Sequence, residues 1–187
     1  MNYTSLSSDI IQSMQQTKVW TPECPVALKD LKLLQLKHYD FNNVIKDGHM
    51  VVNAKIADLV SSIFQELLDL KFPIEKIKPI DLYQGIDELS MMDNNSSCFN
   101  FRKIAGTDRL SSHSYGLAID INPVQNPYIR IKEGATIIEP TAGLEFLNRH
   151  NLRSGMVESI VPIFTKHGFI WGGKWDNPID YHHFEID

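Results

Sequence analysis

Cysteine is scarce. Cys24 and Cys98 are the only two in 187 residues, far apart and without C-x-x-C spacing, so a zinc–thiolate cluster is excluded by count. Two free thiols are the expectation; a single Cys24–Cys98 bridge is the alternative and would favour an oxidising compartment. Long apolar runs are also missing. No stretch approaches the roughly 20 residues of a membrane span, and the opening "MNYTSLSSDIIQSMQQTK" has neither a basic start nor an apolar leader core. As it stands the chain is expected in the cytosol, unless it leaves by another route or a leader has been trimmed. Basic excess is lacking too: the formal charge is −5, which gives nucleic acid no electrostatic footprint. No internal repeat, low-complexity tract or linker divides the chain.

What is present suits one soluble domain. The hydrophobic fraction is 43% and the charged fraction 22%, and a chain of this size buries roughly 70% of its unfolded surface without needing disulfides. Residues 1–29 read as an N-terminal arm, loose or carrying a short helix, and residues 30–187 as the working domain. "LKLLQLKHYDF" predicts a strand that turns at "DFNN" and returns over about 48–52. Asn53 then caps a helix whose apolar positions, Ile56, Leu59, Val60, Ile63, Phe64, Leu67 and Leu68, recur at helical spacing. Residues 74–83 predict a strand, and 87–102 a long polar loop. A second helix is expected over 155–167 with Pro162 inside it and Gly168 as its stop. The aromatic tail predicts a terminal hairpin. Short strands with packed helices make the fold class α+β, a small antiparallel sheet with packed helices.

"SSHSYGLAIDINP" carries the chemistry. His113 follows two serines that can fix its ring or backbone, Gly116 permits a tight turn, and "LAIDI" predicts a strand. If Ile119 and Ile121 face one layer, Asp120 faces the other beside the small Ala118, which leaves room for a metal. A buried carboxylate needs a positive neighbour. The competing reading is a surface Asp120 on an edge strand beside a solvated His113. A hydrolytic zinc takes three protein ligands and keeps one position open. The third would come from "DYHHFEID", where Asp180 and His182 share one face of a regular strand and His183 shares the other with Glu185, so either histidine is open as ligand.

The S-x-H-x-x-G-x-A-x-D pattern of Ser111, His113, Gly116, Ala118 and Asp120 is followed by W-G-G-x-W at 171–175 and by D-x-x-H-F at Asp180, His183 and Phe184. This resembles the zinc D-alanyl-D-alanine carboxypeptidase family, which includes VanY-type carboxypeptidases, vancomycin-resistance D,D-dipeptidases and phage L-alanyl-D-glutamate endolysins. The wider fold group takes in lysostaphin-type peptidases and the hedgehog signalling domain. The resemblance implies one zinc held by His113, Asp120 and His183, with Asp180 as general base. It implies that Arg102, in "FNFRKIAG", steadies the substrate carbonyl or developing oxyanion, with Arg109 a weaker competitor. His182 stands where endolysin-type relatives often have proline. Ser111, Tyr115, Tyr181 and His182 are expected around the metal or lining the cleft, whereas Trp171 is expected in the core.

The implied activity is a metallopeptidase acting on peptidoglycan or muropeptide stem peptides beside a D-amino acid, as a D,D-carboxypeptidase or an L-Ala-D-Glu endopeptidase. A monomer is expected. The rival from another class is a zinc-stabilised binding module of the hedgehog type, which would need neither a base nor an oxyanion partner.

Overall fold

A hairpin and the helix lying on it organise the chain. The computed structural model describes residues 3–187. Strand β1 (Tyr3–Ser5) leads into helix α1 (Ser8–Gln16), capped by Ser7, and the expected arm is therefore helical. Met14 of α1 is fully buried in a cluster with Val19, Leu31, Leu33, Val51 and Phe99. Strands β2 (Leu31–Tyr39) and β3 (Ile45–Asn53) pair antiparallel, with Leu34 opposite Met50, and β1 adds to the free side of β2. Asp40 closes the turn: its Oδ1 accepts the amides of Asn42 and Val44, both at 2.9 Å.

Asn53 caps as expected, accepting the Lys55 amide at 3.0 Å, but the first turn is 3-10 and α2 proper is Ala57–Asp69. Ala57, Val60, Ile63, Phe64 and Leu67 face the main core with Leu34, Leu36, Met50 and Val52.

The middle of the chain departs from expectation. The strand anticipated over 74–83 shrinks to β4 (Lys76–Ile77), because Pro79 offers no amide to a ladder and instead starts a 3-10 turn, Ile80–Tyr83. The stretch anticipated as a polar loop contains α3 (Asp87–Met92) and β5 (Asn95–Ser96), the latter parallel to β4. "DELSMM" combines helix formers with two acids in the first turn, a local preference that its polarity concealed.

Strand β6 (Ala118–Asp120) precedes an unanticipated hairpin of β7 (Tyr128–Lys132) and β8 (Ala135–Glu139). Its turn is Glu133–Gly134, both at positive φ, the two-residue geometry that suits twisted strands. The helix expected over 155–167 starts late, as α4 (Val161–Lys166): Pro162 occupies its first turn rather than kinking its interior. Gly168, φ +90°, ends it as expected.

The tail is not one hairpin. β9 (Ile170–Trp171) and β11 (His183–Glu185) pair in a sheet ordered β6-β11-β9, whereas β10 (Ile179–Asp180) leaves to pair with β7. Phe184 and Phe164 stack at 4.0 Å and fasten α4 to this sheet. Among the described residues no helix is long and apolar enough to cross a membrane. Mixed helix and small antiparallel sheets make the fold α+β, as the sequence indicates.

Candidate metal centre

His113 sits in a 3-10 turn, Ser112–Tyr115, that Ser111 begins by accepting the His113 amide at 3.4 Å. Gly116 ends the turn at φ +64°, and a Cβ there would stand 2.7 Å from the Asn53 amide nitrogen. That nitrogen donates to the Gly116 carbonyl at 3.0 Å, and Asn53 Nδ2 donates to the Tyr115 carbonyl at 2.9 Å. The cap of α2 thus also anchors the histidine turn.

Asp120 ends β6, and the β6–β11 register sets it directly opposite His183. Ile119 and Ile121 enter the main core, and Asp120 takes the other face with Ala118. His113, Asp120 and His183 are 2%, 4% and 6% exposed, which overturns the reading of a surface aspartate beside a solvated histidine.

Three donor atoms meet. His113 Nε2 is 3.1 Å from Asp120 Oδ2 and 3.2 Å from His183 Nδ1, and His183 Nδ1 is 3.1 Å from Asp120 Oδ1. The far side of each ring is occupied. His113 Nδ1–H donates to the Cys98 carbonyl at 2.6 Å, and His183 Nε2–H faces Glu185 Oε2 at 3.2 Å, an oxygen that also accepts Ser112 Oγ–H. Each bond fixes the tautomer that turns a lone pair inward.

The residues fit zinc. Bonds of about 2.0–2.1 Å in a tetrahedron separate the donors by about 3.3 Å, close to the spacing here. The electrostatics agree. Burial opposes a charge on His183, but hydrogen bonds with Asp120 and Glu185 outweigh it and push its pKa up to about 10. Burial would likewise raise Asp120, yet the charges of His113 and His182 and the bonds from His113 and His183 hold it well below the carboxylate range. The cluster is built around positive charge, whether proton or metal ion. Cys98 supplies its carbonyl only; burial, with the charge of Asp120, raises its thiol well above the ordinary value.

Asp180 is buried at the end of β10, where Gly172 lets the chains approach: a Cβ on Gly172 would lie 2.8 Å from the Asp180 carbonyl oxygen. Burial raises the Asp180 carboxyl, partly offset by His182 and His183. His182 Nε2 is 3.0 Å from its Oδ1 but out of line, and this oxygen has no hydrogen-bond partner among the described residues. His182 Nδ1–H donates to the Asn126 carbonyl at 2.8 Å. The ring lies beside both carboxylates, with Nε2 3.9 Å from Asp120 Oδ1.

Arg102 is brought near through its backbone: its amide donates to Ser114 Oγ at 3.0 Å, in the histidine turn. Its guanidinium is engaged elsewhere, Nη2 pairing with Asp87 at 2.8 Å, and its buried Nε has no partner among the described residues. Arg109 contributes backbone bonds to Ile104 and Thr107, and Arg130 Nη1 donates to the Ala105 carbonyl at 3.3 Å. Tyr115 is 40% exposed, whereas the Tyr181 ring is covered by the Arg149 guanidinium at 4.3 Å. Trp171 is half-buried and packs against the core beside Phe184. Trp175, the last residue of W-G-G-x-W, has its ring centre 5.3 Å from that of His183; sequence reasoning missed Asp87 and the carbonyls of Cys98 and Asn126. Backbone oxygens carry no residue signal. Glu185 was legible from its two-residue spacing to His183.

Two imidazoles and a carboxylate converge on one point where they could hold a metal ion, with a further buried carboxylate alongside. Residues 105–186 match the model of the family described as D-alanyl-D-alanine carboxypeptidase, which bears out over that stretch the resemblance read from the motifs and indicates a peptidase. No curated protein and no solved structure matches the chain.

Proposed function

We propose that the protein is a zinc metallopeptidase that hydrolyses peptidoglycan stem-peptide amide bonds beside a D-amino acid, as a D,D-carboxypeptidase or an L-Ala-D-Glu endopeptidase. His113, Asp120 and His183 would hold the ion. What the ion would supply is Lewis acidity, polarising a carbonyl and making water acidic near neutral pH. Asp180 takes the proton from the attacking water and returns it to the leaving amine. Its raised carboxyl pKa suits both halves of that exchange. Arg102, whose guanidinium pairs with Asp87, would turn from it to steady the carbonyl oxygen as charge develops in the transition state.

The observation that carries the reading is the lone Oδ1 of Asp180. Orphaned buried carboxylate oxygens are costly and rare, and this one is beside a donor set whose outer atoms are all satisfied. A metal that served folding alone would need no such group, which favours the enzyme over the binding module.

Mass spectrometry of purified muropeptides incubated with the protein tests this. Loss of a terminal D-alanine or scission between L-Ala and D-Glu is expected, abolished by a chelator and restored by zinc. Muropeptides left intact by zinc-loaded protein would contradict it.

A further inference from the structure

Asp180, Tyr181 and His182 carry the chain from β10 to β11; Asp180 pairs with Tyr128 and the His182 carbonyl accepts the Ile121 amide at 3.0 Å, whereas the Tyr181 amide reaches the Pro127 carbonyl only at 3.4 Å. Side chains do the rest. The Trp171 indole donates to the Tyr181 carbonyl at 2.8 Å, the Arg149 guanidinium covers the Tyr181 ring, and His182 Nδ1–H donates to the Asn126 carbonyl. Two of these three restraints lead to one residue, because Arg149 Nη2 also donates to Asn126 Oδ1 at 2.9 Å.

We infer that Arg149 is a positioning residue for the acid–base side of the site, acting through Asn126 and Tyr181 on His182 and Asp180. The catalytic consequence rests on the peptidase reading; the positioning does not. Arg149 is itself fixed. Its Nε and Nη2 grip Glu158 Oε1 and Oε2 at 2.5 and 2.7 Å, and Nη1 donates to the Gln125 carbonyl at 2.7 Å. Asn126 is fully buried and its side chain is saturated, with Nδ2 on the carbonyls of Ile121, Asn122 and Gly155 and Oδ1 accepting the Val157 amide. A rigid fork therefore braces the Asn126 side chain, and the backbone carbonyl of the same residue orients the His182 ring beside Asp180. A lysine keeps the charge but has neither the planar fork nor the stacking face, so it cannot replace these contacts.

The test compares Arg149→Lys and Glu158→Gln with wild type in the zinc-loaded full chain. It reads kcat and KM on muropeptides, zinc content, and the solvent-protected Nδ1–H resonance of His182 by NMR. Arg149→Lys is expected to keep its zinc, lose the protected resonance and lower kcat roughly 10–100-fold with KM within about twofold, the signature of a displaced reacting group. Glu158→Gln should move the same readouts the same way by less, and decides the matter if Arg149→Lys does not fold. Arg153→Lys, which removes a guanidinium stacked on Phe146 at 3.8 Å in the same segment, should change neither. A wild-type resonance and kcat in both test variants, or a rise in KM alone, would overturn the inference. If wild type cleaves no muropeptide the peptidase reading fails, and the His182 resonance still decides whether Arg149 positions that ring.

Discussion

The Nε2 of His113 and the Nδ1 of His183 face each other at 3.2 Å, with Asp120 Oδ2 3.1 Å from the first and Asp120 Oδ1 3.1 Å from the second. Two lone pairs aimed at one another are unfavourable unless a cation lies between them. The protein is therefore expected to bind one zinc ion per chain. His113→Ala and His183→Ala should each lose it, and His182→Ala should retain it, because that ring is tied to the Asn126 carbonyl and turned toward Asp180. Elemental analysis after dialysis checks this, and retention by His183→Ala with loss by His182→Ala would contradict the arrangement.

Glu185 matters through His183. Its carboxylate accepts from the far ring nitrogen and from Ser112, and these bonds pull its own pKa down to about 2. Glu185→Gln should leave the fold intact and weaken zinc affinity by roughly 10–100-fold, the usual cost of losing the partner behind a metal-bound imidazole. Competition with a chromophoric chelator measures it; unchanged affinity would count against the tautomer argument.

Asp180 is expected to separate binding from turnover. Asp180→Ala should keep full zinc content and lose hydrolysis by about 10²–10⁴-fold, the range associated with a positioned general acid–base group. Equal rates for this variant and wild type at matched metal content would remove it from the mechanism.

A pH effect is expected far from the metal. His38 is buried and donates through Nδ1–H to the Ile74 carbonyl at 2.8 Å. Burial holds its pKa below the ordinary value, against opposing contributions from the Tyr39 and Ile74 carbonyls and from Asp40 and Glu75. The unfolded chain then binds the proton more readily, so this stabilisation is complete above about pH 6.5 and is lost as pH falls through that unfolded value. Between about pH 7.5 and about pH 5.5 wild type should lose more Tm than His38→Gln. Equal losses in the two proteins would contradict this.

Much of the site was legible in the sequence because its signals are local. His113, Gly116 and Asp120 belong to one turn and strand, and the alternation of Ala118, Ile119, Asp120 and Ile121 already states which face is core. The histidine pair at 182–183 was ambiguous because strand periodicity alone treats both residues alike; the break after Asp180, which sends β10 to another sheet, is a tertiary fact. Likewise α3 was hidden by polar residues that make good helix, β4 was cut short by Pro79, and Pro162 marked a helix start. The Arg149 network joins residues from 125 to 182 and leaves no periodic trace.

X-ray absorption at the zinc edge of the loaded protein tests the central claim most directly. The expected spectrum shows one zinc with two imidazole nitrogens, a carboxylate oxygen and a further light-atom oxygen that small anions displace. A sulfur ligand, or a site closed by four protein donors and indifferent to added anions, would contradict it.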